Sequence, residues 1–562
     1  MPSVRCGPVD ADRELSSAST AWLNERREAP TGPRRGHRLC RLFVGGTFRK
    51  RACGHRMTTG VCMETRDDPD VHVVVAGLGP VGGVLAAMLG ARGVPTVVVE
   101  PNERPYPKPR AAVLDVEAIR LLTALPGMPP LEKWATPLAR NGAVGPDRQP
   151  LIMIDQTARA FGQPQVARID QPVLEEDLRT VIAGTGCVEV VAGRSVRTVE
   201  PDGERVTAVL DDGRRLTARW LVGCDGAASA VRVAAGIGFP GKTFAQPWLV
   251  VDAATRPDAS GNRGVGGATD GAATFAFVLD PARPAVAMSQ RGRWRWEWMV
   301  LPGEDPDTMT MPEVVRSLVA AWVDPAALEI QRAAVFTFHA RMADRWRAGR
   351  ILLAGDAAHA IPPFAGLGLS MGIRDVGALA WRLADVVGGA SGADLLDGYE
   401  RERRADVRRT TAMALGIGRL VQTRNRAASR LIRGLVRTAA AVPGLRARLG
   451  SRPVPPRRLP RSLAGPLPQA GHVLPNPRVS VAGGAPVRLD ELIGYRWAYI
   501  GHRCDPRTVT DTIPHDAVVL ALQHPDPAPG CLPISDLDGL LNDTPGTVTA
   551  VRPDRFVHGI LE

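Results

Sequence analysis

The sequence contains no apolar run of the roughly 18–20 residues that a membrane-spanning helix needs, although 44% of its 562 residues are hydrophobic. Cysteine is sparse: there are eight, none in a C-x-x-C pair, and no His/Cys spacing is typical of a zinc site. Residues 1–66 lack the continuous apolar core of a secretory signal. These absences argue against a membrane partner, a metal site and a disulfide framework. They predict a cytoplasmic protein with reduced thiols.

Positive charge is concentrated at one end of the chain. The formal net charge is +12, and residues 1–62 alone hold 12 Lys/Arg against 5 Asp/Glu. The remainder is only slightly basic, so no nucleic-acid partner is predicted. Residues 1–66 are rich in Arg, Gly, Ser and Pro without a sustained period, which predicts a disordered extension. Met57 and Met63 stand just before the first predicted strand, so we interpret the extension as an upstream misplacement of the start; a genuine basic tail is the alternative.

The most informative stretch runs from Val71 to Glu100. An apolar run around Val73–Val75 predicts a strand buried on both faces of a parallel sheet. Three glycines at G-x-G-x-x-G spacing follow, then a helix over Val84–Leu89 and a second strand over Thr96–Val99 that ends on Glu100. This context indicates a dinucleotide site rather than an ordinary glycine-rich turn. The three glycines are Gly77, which permits the tight turn, Gly79, which lets a pyrophosphate approach the backbone, and Gly82, which lets helix and strand pack closely.

Two later segments have the same strand-then-turn form. Leu221–Gly223 leads into Cys224-Asp225-Gly226, and Ile351–Ala354 leads into Gly355-Asp356-Ala357-Ala358-His359. Between them, residues 247–301 alternate apolar and polar side chains and predict an antiparallel sheet. Trp294, Trp296 and Trp298 fall on one face of one strand, for which a packed aromatic face is favoured over direct substrate contact.

These motifs together resemble the single-component FAD-dependent aromatic hydroxylases, and most of all the 3-(3-hydroxyphenyl)propionate hydroxylase-like monooxygenases. The resemblance covers roughly residues 70–420, and Val551–Val557 resembles the thioredoxin-like C-terminal domain of many members. The redox cysteine pair of thioredoxins is missing, so packing or dimerisation is the expected role of that domain. The resemblance implies an α/β fold: a Rossmann-type FAD-binding domain with an inserted antiparallel substrate domain, a helical linker and a thioredoxin-like C-terminal domain.

The predicted domain order follows from these segments. It comprises a disordered basic extension (1–66), the first part of the FAD-binding domain (67–242, with substrate-domain segments near 140–170), a β-sheet substrate domain (243–335), the second part of the FAD-binding domain with a helical segment (336–450), a linker (451–470) and the C-terminal domain (471–562).

The resemblance also implies roles for single residues. Gly77, Gly79 and Gly82 would hold the FAD pyrophosphate and Glu100 the adenosine ribose. The other implied contacts are Arg110 and Gln171 to FAD, Asp225 to FAD and the nicotinamide cofactor, Asp356 to the flavin-side ribose, and Pro363, Gly366 and Gly368 beside the flavin ring. Turn geometry, helix capping and surface ion pairing are the ordinary alternatives. Two positions depart from the family: Leu367 stands where Gln is common and Ser370 where Asn is common.

The function implied is an NAD(P)H- and O₂-dependent monooxygenase that hydroxylates a phenolic or polycyclic aromatic substrate through a flavin C4a-hydroperoxide. A tailoring oxygenase acting by epoxidation or Baeyer–Villiger insertion and a non-catalytic FAD-binding protein are the alternatives, and a homodimer stays open. None of the four tyrosines falls in the predicted substrate sheet, so His339 and His359 are the candidate bases, each with a structural role as its alternative.

The extension generates a first prediction. Deleting residues 1–62 is expected to leave flavin binding and thermal stability unchanged, because a segment without period or apolar core buries little surface. Thermal melting and FAD titration of both chain lengths check this. A large fall in melting temperature on truncation would show that the segment packs on the body.

Overall fold

The structure is a computed structural model that describes residues 71–107, 110–256, 265, 272–290, 292–442, 444, 457–524, 526–541 and 544–562. The predicted extension 1–66 lies outside the described residues, as do the first six residues of the predicted linker. The described residues belong to one compact unit. None of the helices that can be described is both long and apolar enough to cross a membrane.

A six-stranded sheet, here the central sheet, carries the glycine motif. Its strands are parallel except at the Arg347–Ala348 edge. The strand before each predicted turn is fully buried, which explains why these runs are apolar without alternation. In order across the sheet, the strands are Val188–Ala192, Thr96–Glu100, Val73–Ala76, Trp220–Gly223, Ile351–Leu353 and Arg347–Ala348.

The first crossover helix begins earlier than predicted. It spans Pro80–Ala91 rather than starting at Val84, because Pro80 occupies the first turn, where its missing N–H costs nothing. The helix packs against Gln171–Ala183 and Gly368–Val387. The helices Pro80–Ala91 and Gln171–Ala183 contact strands of the central sheet, and Gly368–Val387 contacts the turn Gly355–Ala357 that follows one of its strands.

One strand assignment was wrong. The sequence predicts a hairpin of two strands, Arg205–Leu210 and Arg215–Leu221, around the turn Asp211-Asp212-Gly213. The hairpin is present, but its second strand ends at Ala218. Trp220 and Leu221 instead open the strand Trp220–Gly223 of the central sheet, parallel to Val73–Ala76. The burial pattern explains the change: every residue of Trp220–Gly223 is buried, whereas Arg215–Ala218 alternates.

A seven-stranded sheet, here the tryptophan sheet, contains the four strands that the structure describes within residues 247–301. Its strands there are antiparallel to one another, as predicted, and Thr274–Val278 also pairs in parallel with Arg140–Val144. The order across the sheet is Leu328–Phe336, Trp248–Thr255, Arg293–Met299, Ala285–Gln290, Thr274–Val278, Arg140–Val144 and Pro150–Asp155.

The three tryptophans form a packed core. The ring centroids of successive tryptophans lie 5.0 and 5.8 Å apart in stacked arrangements, and each side chain is buried. They pack on Val315 and Val319 of the helix Pro312–Val319. The interpretation as a packed aromatic face is therefore confirmed, and the opposite face of the strand is left to meet the rest of the molecule.

A third large sheet, here the C-terminal sheet, lies after residue 471. The sequence predicts strands there near Trp497–Gly501, Ala517–Leu522, Thr547–Val551 and Phe556–Ile560, and the sheet has a strand at each of these places. Its order is Val487–Arg488, Arg478–Val481, Leu532–Asp536, Val518–Leu522, Ala498–His502, Val548–Val551 and Val557–Leu561. The Tyr495 hydroxyl donates to the Gly377 carbonyl at 2.6 Å and accepts from the Trp381 N–H at 3.2 Å, which ties this sheet to the helix Gly368–Val387.

The other elements include one long helix, Leu395–Val421, and several short helices and strands. The remaining helices are Val116–Thr123, Leu131–Trp134, Ala230–Ala234, Pro306–Met309, Leu395–Val421, Arg426–Ala441, Arg461–Ala464 and Leu489–Ile493. The remaining strands are Val113–Asp115, Ala135–Pro137, Arg159–Ala160, Gln163–Pro164, Val166–Ile169, Val196–Asp202, Arg205–Leu210, Arg215–Ala218, Gly241–Thr243, His339–Met342 and His359–Ala360.

A buried ion triad generates the second prediction. Asp490 accepts from Arg120 at 2.6 and 2.9 Å and from Arg555 at 2.7 Å, and all three side chains are buried. Asp490→Ala leaves two guanidinium groups without their carboxylate, which is expected to cost about 3–5 kcal/mol of unfolding free energy. Chemical denaturation measures this loss. Glu200→Ala, which breaks an exposed pair with Arg215, is the control and should change little.

The same triad sets a pH dependence. Burial opposes ionisation of Asp490, but Arg120 and Arg555 outweigh it and hold its pKa below the ordinary value. A carboxylate with a lowered folded-state pKa contributes stability above its unfolded pKa of roughly 4, and that contribution is lost as the pH falls further. The difference in stability between wild type and Asp490→Ala should therefore narrow below about pH 4.

Candidate functional site

A cavity of about 670 Å³ lies at the carboxyl ends of the central strands and is closed on its far side by the tryptophan sheet. Open α/β sheets bind ligands at this edge. The cavity brings together ten of the eleven predicted cofactor residues: Gly77, Gly79, Glu100, Arg110, Gln171, Asp225, Asp356, Pro363, Gly366 and Gly368. Gly82 lies behind the wall, where it supports the turn.

The glycines differ in what a side chain would meet. A Cβ at Gly82 would lie 1.9 Å from the Gly77 carbonyl oxygen, and a Cβ at Gly77 would lie 2.6 Å from the Cys224 carbonyl oxygen. A Cβ added at Gly79 would meet no other part of the protein within 4 Å, and this residue faces the cavity. The helix Pro80–Ala91 begins there without a side-chain cap, so its N–H groups are free for an anion. This cradle fits the pyrophosphate of FAD.

Glu100 joins the first turn to the end of the second strand. One oxygen accepts from the Leu78 N–H at 2.7 Å, and the other accepts from the Asn102 backbone and side-chain N–H groups at 3.0 and 2.7 Å. These bonds fix the carboxylate at the cavity wall. One acceptor position remains for a sugar hydroxyl, because a carboxylate offers about four.

Asp356 is open to the cavity, and the protein surrounds it on its other sides. No hydrogen-bond donor from the described residues reaches its carboxylate. Shielding from bulk water raises its pKa and nearby Asp375 adds to the rise, while His359 and Arg110 oppose it. A carboxylate with free acceptor positions at a strand end fits a ribose that offers two hydroxyl donors.

A fully buried carboxylate, Asp375, holds the Asp356 turn in place. Its Oδ2 accepts from the Gly355 N–H at 3.1 Å and pairs with His359 Nε2 at 2.6 Å. Its Oδ1 accepts from Arg403 Nε at 2.9 Å. Burial alone would raise the pKa of Asp375, but His359 and Arg403 lower it, so the group is ionised. Sequence analysis missed Asp375 and Arg403, because both lie inside helices without a motif around them.

The Asp225 carboxylate stabilises the turn in which it lies. Its carboxylate accepts from the Ser229 hydroxyl at 2.5 Å and from the Val231 N–H at 3.1 Å, which secures the start of the helix Ala230–Ala234. Arg232 then donates to the Ala227 and Ala357 carbonyl oxygens at 2.8 and 3.0 Å. The arginine thereby links the Asp225 turn to the Asp356 turn.

Gln171 positions the Arg110 segment. Its side-chain oxygen accepts from the Arg110 and Ala111 backbone N–H groups at 2.9 and 2.8 Å, and its amide nitrogen donates to Glu175 at 2.7 Å. The Arg110 guanidinium lies over the Tyr106 ring, 4.8 Å from the centroid. Gln171 lines the cavity, and the hydrogen bonds of its side-chain amide also hold the backbone of Arg110 and Ala111 in position.

The segment Pro363–Gly368 also lines the cavity, and its Phe364 ring packs edge-on against Trp248 of the tryptophan sheet with 5.5 Å between the ring centroids. It ends at the N-terminus of the 20-residue helix Gly368–Val387, which has no side-chain cap. Of the two departures from the family, Ser370 is buried, and its hydroxyl accepts from the Asp115 N–H at 3.1 Å. Leu367 lies at the helix start and is absent from the cavity lining. The two differences from the family, at Leu367 and Ser370, therefore do not remove the backbone N–H groups at the start of the helix Gly368–Val387.

Neither candidate histidine lies at the cavity. His359 is buried against Asp375, and His339 contacts the Thr243 hydroxyl at 3.0 Å in a separate three-stranded sheet. The structure gives both a structural setting, which was the alternative stated for them.

The wall contributed by the tryptophan sheet is mainly apolar. Phe275, Val286 and Met288 line it together with Arg295 and Glu297. Arg295 forms a bidentate buried pair with Asp252 at 2.6 and 2.9 Å. The alternation along Arg293–Met299 places the tryptophans on one face of the strand and Arg295 and Glu297 on the other. This alternation could have identified Arg295 and Glu297 as candidate cavity residues from the sequence.

Fold and cavity together define an FAD-binding α/β protein. Residues 70–414 match the family described as FAD binding domain, and residues 471–562 match the HcaD C-terminal domain. The chain belongs to the FAD binding domain family, and it is an enzyme of the FAD-dependent hydroxylase class, for which NAD(P)H is the usual reductant.

Two curated relatives support this assignment. The 3-(3-hydroxy-phenyl)propionate/3-hydroxycinnamic acid hydroxylase of Mycobacterium sp. (strain JLS) is 34% identical over 456 residues, which cover 79% of this chain and 78% of that protein. The hydroxylase of the same name from Klebsiella pneumoniae (strain 342) is 32% identical over 533 residues, covering 88% and 94%.

Solved structures share the fold. CabE, an aromatic hydroxylase from angucycline biosynthesis, is similar with a TM-score of 0.63 and 25% identity, covering 87% of this chain and 96% of that chain. Aklavinone-11 hydroxylase, solved with FAD and aklavinone, has a TM-score of 0.67 at 24% identity, covering 88% and 96%.

The open carboxylate of Asp356 generates the third prediction. Asp356→Ala is expected to lose one or two charge-assisted hydrogen bonds to FAD, at roughly 1.5–3 kcal/mol each. FAD binding should weaken about ten- to a hundred-fold per bond. Asp356→Asn should be milder, because its amide can still meet one hydroxyl.

FAD dissociation constants, measured beside apo-protein melting temperatures, separate this role from helix capping. A cap would be restored by Asn, with FAD affinity barely changed in either variant. Unchanged FAD affinity in Asp356→Ala would contradict the cofactor role.

Proposed function

We propose that this enzyme uses NAD(P)H and O₂ to hydroxylate a phenolic or polycyclic aromatic compound. One observation carries the proposal: a single cavity has the predicted FAD contacts along the central sheet and an apolar wall of the tryptophan sheet opposite them. The names of the curated relatives as hydroxylases of hydroxylated phenyl acids support an aromatic substrate.

In this proposal, different residues of the cavity bind different parts of FAD. The uncapped helix at Gly79 binds the pyrophosphate, Glu100 the adenosine ribose and Asp356 the flavin-side ribose. Pro363, Gly366 and Gly368 pass beside the flavin ring, where the start of the helix Gly368–Val387 favours negative charge. Gly77 and Gly82 act indirectly, by allowing the close backbone approach that forms the turn.

Bound FAD supplies the oxygen chemistry after reduction by NAD(P)H. The protein positions the aromatic ring and excludes water. Phe275, Val286 and Met288 provide the apolar contact surface, and Phe364 faces them from the segment Pro363–Gly368. Since His339 and His359 lie away from the cavity, neither is proposed as the base.

Epoxidation and Baeyer–Villiger insertion use the same cofactor and remain the second candidate reactions. The apolar wall accommodates their substrates equally well, so product mass and connectivity must distinguish them. Leu367 and Ser370, where the chain departs from the family, are the features that favour a non-catalytic FAD-binding protein. The Ser370 hydroxyl accepts from the Asp115 N–H, and Leu367 is not among the residues that line the cavity.

The fourth prediction is that the purified protein is yellow and oxidises NAD(P)H faster when a suitable phenol is added. A panel of phenolic acids and polycyclic phenols is screened for stimulated NAD(P)H oxidation, and products are identified by mass spectrometry. A gain of one oxygen atom on the aromatic ring is expected. Asp356→Ala, assayed at low FAD, should lose the stimulation and regain part of it as FAD is raised.

Two results would contradict the proposal. One is a protein that remains colourless after incubation with FAD. The other is an FAD-loaded protein whose NAD(P)H oxidation responds to no aromatic compound in the panel.

A further inference from the structure

Glu297 lies at the centre of the cavity-facing side of the tryptophan sheet. In the strand register it stands opposite Val250 on one neighbouring strand and Val286 on the other. Phe277 lies opposite Val286 one strand further along. A carboxyl group therefore interrupts a row that is otherwise apolar.

This carboxyl group has no partner among the residues that the structure describes. No donor from the described residues hydrogen-bonds to it, and it forms no ion pair there. Arg295, the nearest cation on its own strand, is held by Asp252 through two hydrogen bonds. A half-buried polar group costs free energy unless something bonds to it, so Glu297 indicates a polar contact with a ligand.

The charged groups that face Glu297 are few. Arg295 on its own strand lowers its pKa and Asp252 on the adjacent strand raises it, but burial is the largest influence, and the pKa of Glu297 is raised overall. The strands on its other side contribute Val286 and Phe277. The raised pKa shifts this carboxyl group toward the neutral form relative to an exposed glutamate, and its oxygens can accept a hydrogen bond from a hydroxyl group in either form.

The following inference about Glu297 rests on the proposed function. We propose that Glu297 binds a hydroxyl group of the aromatic substrate and makes the enzyme select neutral phenols. The ring lies against Phe275, Val286 and Met288, and the hydroxyl meets the carboxyl of Glu297. A substrate that placed a carboxylate at this point would bring an anion into an apolar wall whose arginine is already neutralised by Asp252. Glu297 is thus a specificity-determining residue in the substrate half of the cavity.

The test measures binding to the FAD-loaded full chain with three probes that share a ring system: 1-naphthol, 1-methoxynaphthalene and 1-naphthoic acid. Wild type should bind the naphthol on the order of ten-fold more tightly than the ether, since only the naphthol donates a hydrogen bond. It should bind the acid more weakly than the naphthol. Calorimetry gives all three dissociation constants without turnover.

Variants locate the effect. Glu297→Leu and the longer Glu297→Met should abolish the preference for naphthol over the ether, and Glu297→Gln should keep part of it through its amide oxygen. The matched control is Glu329→Gln, which changes an exposed carboxylate on the strand Leu328–Phe336 of the same sheet. It should bind all three probes as wild type does.

The proposal is overturned if Glu297→Leu or Glu297→Met retains the full preference, if wild type has none, or if the acid binds most tightly. If none of the three probes binds, the assigned substrate class is overturned. FAD content, measured in every variant, reports separately on the cofactor half of the cavity. Failure of NAD(P)H oxidation would therefore count against the proposed function without deciding the role of Glu297.

Discussion

The site depends on one buried carboxylate that is not itself at the cavity. Asp375 holds the N–H of Gly355, His359 and Arg403, and the pKa of its carboxyl group lies below the ordinary value because His359 and Arg403 outweigh its loss of hydration. A buried ion network of this kind fixes geometry more than it adds stability. Its consequence is that Asp356 is presented to the cavity at the end of its strand with its own acceptors free.

The two halves of the cavity obey different physical constraints. On the central sheet, recognition depends on close backbone approach and uncapped helix starts, so Gly77 and Gly82 cannot gain a side chain without a clash. On the tryptophan sheet, recognition depends on an apolar surface with Arg295 and Glu297 embedded in it. The first half suits a cofactor common to a family, and the second half can vary with the substrate.

The C-terminal sheet contributes packing. Its free cysteines Cys504 and Cys531 form no disulfide, whereas Tyr495 and the triad around Asp490 bind it to helices of the FAD-binding part. Burial also raises the pKa of both thiols, which disfavours the reactive thiolate. These contacts are what the missing cysteine pair led us to expect.

Local sequence determined the elements whose signal is contained in a few adjacent residues. The turn at Gly77–Gly82, the buried strands before Asp225 and Asp356, and the single face of Trp294, Trp296 and Trp298 follow from spacing, apolarity and alternation. The tertiary structure decided what depends on distant segments. It moved Trp220 from the hairpin into the central sheet, placed both candidate histidines away from the cavity, and assigned Asp375 and Glu297 their settings. A strand partner, the hydration of a carboxylate and the pairing of Arg295 with Asp252 arise only when residues far apart in sequence are brought together, so no local pattern could determine them.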